Sequence, residues 1–229
     1  FSFGKPCFSL LNTLWPNSIR SGVSRLSLAM IYHLPTLLIS RLVDIVSAGM
    51  YGLSVQVCLF ASSISQLPIM AAAPRFYALA GASQLPELRA LVCAKVRQML
   101  LLLFILGVGI LFVAPFLLEL LHAKTTLLPF PLLLGLVLFF GLENHRNNHV
   151  LLVGAFNRFP FWKADISTGL ILLSGGALVL GFAALPGFIA WMFVCGAACI
   201  FWWPVKEGLR QLSLKPSDYF KAIFSRPSL

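Results

Sequence analysis

Leu142-Glu143-Asn144-His145-Arg146-Asn147-Asn148-His149 places seven polar side chains in a row inside an otherwise apolar stretch. Residues 127–141 before it and 150–156 after it are apolar. An aqueous loop between two membrane helices is the simplest reading of such a block, and length rejects it. Residues 150–156 are too few to cross a bilayer, and Asn157, Arg158, Lys163 and Asp165 follow directly. A membrane-crossing helix needs about 20 apolar residues, so no span starts at Val150 without burying that charge run. The spacing predicts one long helix over residues 127–156, with the polar block inside the membrane.

Its depth follows from the helical rise. With Arg158 at the water interface, Arg146 lies about 18 Å inward at 1.5 Å per residue. The midplane of a ~30 Å hydrocarbon core is about 15 Å in. A charge there costs at least about 2.5–3.5 kcal/mol, so it needs a partner and a protein or water surround. Glu143 stands three residues before Arg146 and four before Asn147, on one helix face. His145 and His149 share another face, with Asn144 and Asn148 between. A helix that is polar nearly all round at one level cannot turn that level toward lipid. It lines a wet cavity or cleft, or its polar residues act as glue between helices. Glu143, His145, Arg146, Asn147 and His149 are the candidate cavity residues.

Composition gives the class. Of the 229 residues 59% are hydrophobic and 10% charged, with a mean hydropathy of +0.91, which excludes a soluble domain. A polytopic all-α membrane protein is expected. The five cysteines, Cys7, Cys58, Cys93, Cys195 and Cys199, are scattered and fit apolar packing better than a disulfide framework or zinc site. Neither a cofactor nor a metal site is indicated.

Six spans are predicted, over residues 22–40, 46–72, 98–118, 127–156, 164–185 and 187–203. Residues 1–21 form a loop-like lead-in without the features of a signal peptide, in which Asn17 or Ser18 caps the first span. The chain opens on Phe1, so a longer parent protein is expected. The first span carries a serine stripe (Ser21, Ser24, Ser27) and His33, and the second carries Gln56, Ser63 and Gln66. Such groups usually bond neighbouring helices, with a place in the cavity for His33 and Gln56 as the alternative. A polar connector over 74–97 follows. The third span is nearly pure Leu, Phe, Ile and Val and reads as lipid-facing scaffold. Aromatics around Pro160 and at Trp202-Trp203 suit membrane interfaces, and 205–229 is a basic tail.

The net charge of +10 is topological. With six spans, fourteen of the seventeen Lys and Arg fall on one side, in the lead-in, the connector, the 157–163 turn and the tail. Only Arg41 and Lys124 fall on the other, which puts both termini in the cytoplasm. The charge can also touch anionic lipid, and no nucleic-acid partner is implied.

Several stretches resemble one family. Ala48-Gly49-Met50-Tyr51-Gly52-Leu53-Ser54-Val55-Gln56 resembles the start of the eighth helix of polysaccharide exporters, the O-antigen flippase branch of the superfamily that includes multidrug and toxin extruders. Pro74-Arg75, Gly81 and Leu88-Arg89 are similar to that family's cytoplasmic connector. Leu142-Glu143-x-His145, Asn157-x-Phe159-Pro160-Phe161 and Ser167-Thr168-Gly169 are similar to its tenth and eleventh helices. Where the family tends to carry His-His after the Leu-Glu pair, this chain has His145-Arg146, which eases a cationic role.

The resemblance implies twelve or more helices in two six-helix lobes around one cavity, with this chain as the second lobe. It also implies a multi-pass protein of the inner membrane that flips a lipid-linked oligosaccharide by alternating access. The implied partners are the bilayer, a polyprenyl-diphosphate-linked glycan, a first lobe and the pathway's polymerase. A wet cavity with Arg146, His145 and His149 would suit an anion or a sugar, since Arg forks onto phosphate oxygens and Asn matches hydroxyls. Glu143 would hold Arg146 or exchange a coupling proton. Two other classes stay open, a small-molecule cation antiporter of the same superfamily and a membrane-embedded glycolipid-processing enzyme. Arg146 one turn from Glu143 argues against the first, and the dispersal of the seven acids against the second.

Overall fold

The computed structural model describes residues 8–156 and 160–224, and every regular element among them is helical. Cys7, Asn157, Arg158, Phe159 and Arg226 lie outside the described residues, as do the side chains of Arg25 and Cys199.

Helix α1 (Phe8–Leu42) starts well before the expected first span, so most of the presumed lead-in is helical and Asn17 and Ser18 lie inside the helix. Asp44 separates it from α2 (Ile45–Ser65). Its backbone is extended (φ −166°, ψ 165°), and its carboxylate accepts from Ser47 N at 2.7 Å and Ser47 Oγ at 2.6 Å. The hydroxyl and the amide of Ser47 hold the exposed Asp44 carboxyl below its ordinary range. This is an N-cap, satisfying a helix-end N–H that has no partner in the helix.

The expected second span divides at Gln66. Beyond it, α3 (Leu67–Gly81) restarts with a proline in its first turn, where a missing N–H is harmless. The expected polar connector is helical too, apart from the turn 82–84, because α4 (Leu85–Val108) begins at its centre. A π-helical turn (Gly109–Val113) joins α4 to α5 (Ala114–Leu120). Little of this stretch is buried, and Leu101, Phe104, Phe112 and Phe116 are exposed, an apolar surface turned away from the rest of the fold.

Helix α6 (Phe130–Ala155) is unbroken through the polar block, as its length required. The fifth and sixth predicted spans meet inside α7 (Trp162–Cys195), where Ala184 turns the chain at φ 50°, ψ −152°. Beyond this corner the two halves pack on each other. A Cβ on Gly175 would stand 2.3 Å from the Trp191 ring, and one on Gly176 would stand 2.6 Å from Phe188. Only glycine admits that approach. A π-helical segment (Gly196–Phe201) leads to α8 (Trp202–Gln211) and α9 (Pro216–Phe224), so the expected basic tail is folded.

Among the described residues four helical stretches are long and apolar enough to cross a membrane: Ser18–Leu42, Ile45–Ser65, Leu85–Leu120 and Trp162–Gln211. Helix α6 is not among them because its polar block lowers its hydropathy. It is nevertheless central, touching α2, α3, α4, α7 and α8. Two apolar cores lie along it. One gathers residues of α1, α2 and α7 with Leu133, Leu136, Phe139 and Phe140 of the first half of α6. The other gathers residues of α3, α4, α8 and α9 with Leu152 of its second half. Residues 143–149 sit between the two cores.

Two substitutions test the corner. Gly175→Ala should lower thermal stability by about 1–3 kcal/mol, the usual cost of overpacking. Ala184→Gly should raise it by about 1 kcal/mol by releasing a left-handed φ. Asp44→Ala should unfold at a lower temperature at neutral pH. Because the folded Asp44 carboxyl titrates below its unfolded value, its contribution is present above pH ~4 and lost as pH falls through the lowered value. The wild-type and Asp44→Ala melting curves should therefore converge in acid.

Candidate functional site: the polar belt of α6

Each polar face of α6 meets a different neighbour. Asn144 turns toward α2, where its Nδ2 donates to Ser65 Oγ at 3.2 Å and its Oδ1 accepts from Gln66 Nε2 at 2.8 Å. Both amide functions are thereby used, as buried polar groups require.

The charged face turns toward α1 and α7. Arg146 is 2% exposed and donates from Nη1 to Glu143 Oε1 at 2.9 Å and to Asn147 Oδ1 at 3.2 Å. Its Nη2 donates to Asp165 Oδ1, and Ser24 Oγ of α1 donates to Asp165 Oδ2. The Tyr32 hydroxyl of α1 meets Glu143, and the Tyr32 ring stacks on Phe140 at 5.5 Å. The Glu143–Arg146 pairing expected from their spacing is present. Asp165 corrects the sequence reading, which placed it with the water-facing charges after α6. It lies in the first turn of α7, where a negative charge suits the helix dipole, and it is 4% exposed. The cluster therefore holds two carboxylates around one guanidinium.

The third face carries the histidines. His145 and His149 stand 5.0 Å apart between ring centres. Phe201 stacks on His145 at 5.6 Å, and Tyr219 of α9 lies 5.9 Å from His145 and 5.3 Å from His149. Gly208 of α8 closes against His149, with no room for a methyl group. Six buried polar atoms here have no hydrogen-bond partner: His145 Nε2, both ring nitrogens of His149, both amide atoms of Asn148 and the Tyr219 hydroxyl. Each such atom costs about 1–3 kcal/mol.

Arg146 and Asn147 also reach a cavity of about 270 Å³ between α1, α3 and α6, bounded in addition by Ser21, Ser24, Gln66 and Tyr77. Five of the candidate residues, Glu143, His145, Arg146, Asn147 and His149, thus gather at one level, though on separate faces. The other two do not join them. His33 is exposed on α1. Gln56 is exposed in a different cleft with Thr36, Ser40 and Thr125, ten residues or about 15 Å along the helix axis from Gln66.

Sequence reading missed the roles of Asp165, Tyr32 and Tyr219. Asp165 could have been found as an acid just inside the apolar run of α7. Nothing in the chain marks Tyr219, which comes to the site only through the folding back of α9. Cys58, Cys93 and Cys195 are buried, in line with the packing reading. Among the described residues no three His, Cys, Asp or Glu side chains gather as a metal ion would need.

Removal of one partner from a buried ion cluster leaves uncompensated charge, so Arg146→Ala should cost about 3–5 kcal/mol in thermal stability. The triple change Glu143→Gln, Arg146→Gln, Asp165→Asn should recover most of that loss, because no charge remains to be solvated. Melting curves of the purified variants measure both.

No family model matches the chain, and no curated protein or solved structure matches it either.

Proposed function

We propose that this chain forms one lobe of a two-lobe membrane exporter that flips a lipid-linked oligosaccharide across the inner membrane by alternating access. In this reading the chain crosses six times, through α1, α2, α4–α5, α6 and the two halves of α7 about Ala184. Both ends face the cytoplasm, and a first lobe completes the transport path. The observation that carries the proposal is the cavity of about 270 Å³ where Arg146, Asn147, Gln66, Ser21 and Ser24 converge at the level of the polar belt. Guanidinium, amide and hydroxyl groups together suit an anionic, hydroxyl-rich head group. The charge split supports the orientation, with Arg75, Arg89, Lys95, Lys163, Lys206 and Lys215 on one side and Arg41 and Lys124 on the other. The protein acts as a transporter in this reading, not as an enzyme.

A second reading, a cation antiporter, gains from Asp165. Two carboxylates on one guanidinium leave an excess negative charge where the sequence alone showed a balanced pair.

Complementation of a flippase-null strain by the gene containing this chain separates the two. Asn147→Ala and Ser21→Ala should each lower surface glycan about tenfold at unchanged membrane abundance, the loss of one good hydrogen bond to the head group. Arg146→Lys keeps the charge without the fork and should transport partially. Normal glycan in all three variants would sink the exporter reading. Thiol-accessibility labelling should place positions 89 and 215 inside the cell and 124 outside, and positions 124 and 215 on one side would refute six crossings.

A further inference from the structure

Two features meet on the histidine face of α6. His145, Asn148, His149 and Tyr219 bury six polar atoms without partners. His145 also forms the wall of a groove of about 630 Å³ between α4 and α6, and among the described residues it is the only polar side chain that lines it. Phe220, Ile223 and Phe224 of α9 wall the groove as well.

Orphaned polar atoms oppose the arrangement that buries them, so an alternative that satisfies them is favoured. Helix α9 stands between the two. It is nine residues long and presents two buried side chains, Tyr219 and Ile223. The turn that joins it to α8 holds Ser213 at φ 51°, a conformation a non-glycine residue adopts at some strain. Only Tyr219 and Ile223 anchor the helix by burial, and the strained turn favours release, so α9 is poised to lift.

The chemistry beneath it is specific. Two imidazoles and an amide offer donors and acceptors together, and the nearby guanidinium lies on another face with Glu143 and Asp165. Sugar hydroxyls both donate and accept, whereas a phosphate only accepts. The Phe201 ring beside His145 adds a flat apolar surface of the kind a sugar ring lies against. The groove outside is apolar and lies along membrane-spanning helix, which suits hydrocarbon.

We propose that His145, Asn148 and His149 form a site for the sugar head group of a glycolipid whose hydrocarbon chain lies in the α4–α6 groove, and that α9 is its cover, with Tyr219 filling the sugar's place. The substrate class rests on the exporter reading, but the site is separate from the Arg146 cavity.

Histidine modification by diethyl pyrocarbonate, mapped by mass spectrometry on the full chain in phosphatidylcholine nanodiscs, tests it without any transport step. His122 is exposed in the turn after α5 and should react at once as the internal reference. His145 and His149 should react slowly, at a rate that does not change with denaturant below the unfolding transition, as local opening requires. Tyr219→Ala should speed them about tenfold, and Tyr219→Phe should leave them unchanged because the hydroxyl has no partner. A few mole per cent of glucosyl diacylglycerol should slow only His145 and His149, by about threefold, while the same fraction of phosphatidylglycerol should not. Modification of His145 and His149 only upon global unfolding would overturn the cover, and protection by phosphatidylglycerol alone would overturn the sugar site. Should Tyr219→Ala fail to fold, the wild-type time course and the two lipids still decide. A negative complementation result would leave these outcomes standing, so the two readings fail separately.

Discussion

One guanidinium ties this protein together. Arg146 is pinned between Glu143 of its own helix and Asp165 of α7, and Asp165 is in turn held by Ser24 of α1. In a low-dielectric interior neither charge is tolerable alone, and attraction between them is far stronger than in water. The position of α7 against α6 is therefore specified more sharply than apolar packing alone would achieve. Leu, Phe and Ile side chains slide past one another at little cost, but a buried ion cluster does not slide. The two apolar cores above and below the belt are registered by it.

The remaining faces of α6 follow from that constraint. With the charged side turned to α1 and α7, helical geometry directs Asn144 at α2 and the histidines at α8 and α9. Asn144 finds a complete set of partners, whereas the histidine face closes on rings and a glycine and leaves polar atoms unsatisfied. The belt is thus half sealed and half unsettled. Two environments flank it, a small polar cavity at Arg146 and Asn147 and a larger apolar groove at His145. An amphiphile with a wet head and an oily tail needs that combination.

Much of this was legible in the residues. The length argument on 150–156 required an unbroken α6, and the three-residue spacing of Glu143 and Arg146 required their pairing. The Leu- and Phe-rich third span announced an exposed apolar surface. Local turn chemistry was harder to read. The connector expected over 74–97 is largely helical, since Pro68 and Pro86 sit in first turns, where proline is tolerated. Asp165 was misplaced because its partner is nineteen residues away on another helix, and no periodicity reports a contact between helices. Tyr219 was invisible for the same reason. His33 and Gln56 are polar residues on membrane helices that point away from the belt, a matter of helix rotation that one sequence does not fix.

The same ion cluster bears on how the chain is made. Glu143 emerges from the ribosome three residues before Arg146, whereas Asp165 emerges nineteen residues after it, on the order of a second later at usual synthesis rates. Helix α6 therefore forms carrying one counter-ion of its own, an i, i+3 partner that lowers the cost of burying Arg146 before any neighbour is available. The second carboxylate arrives with α7 and draws that helix against one already waiting. Docking of α6 and α7 is in this sense a single event spread over time, and the order of residues along the chain encodes a sequence of assembly as well as a final arrangement.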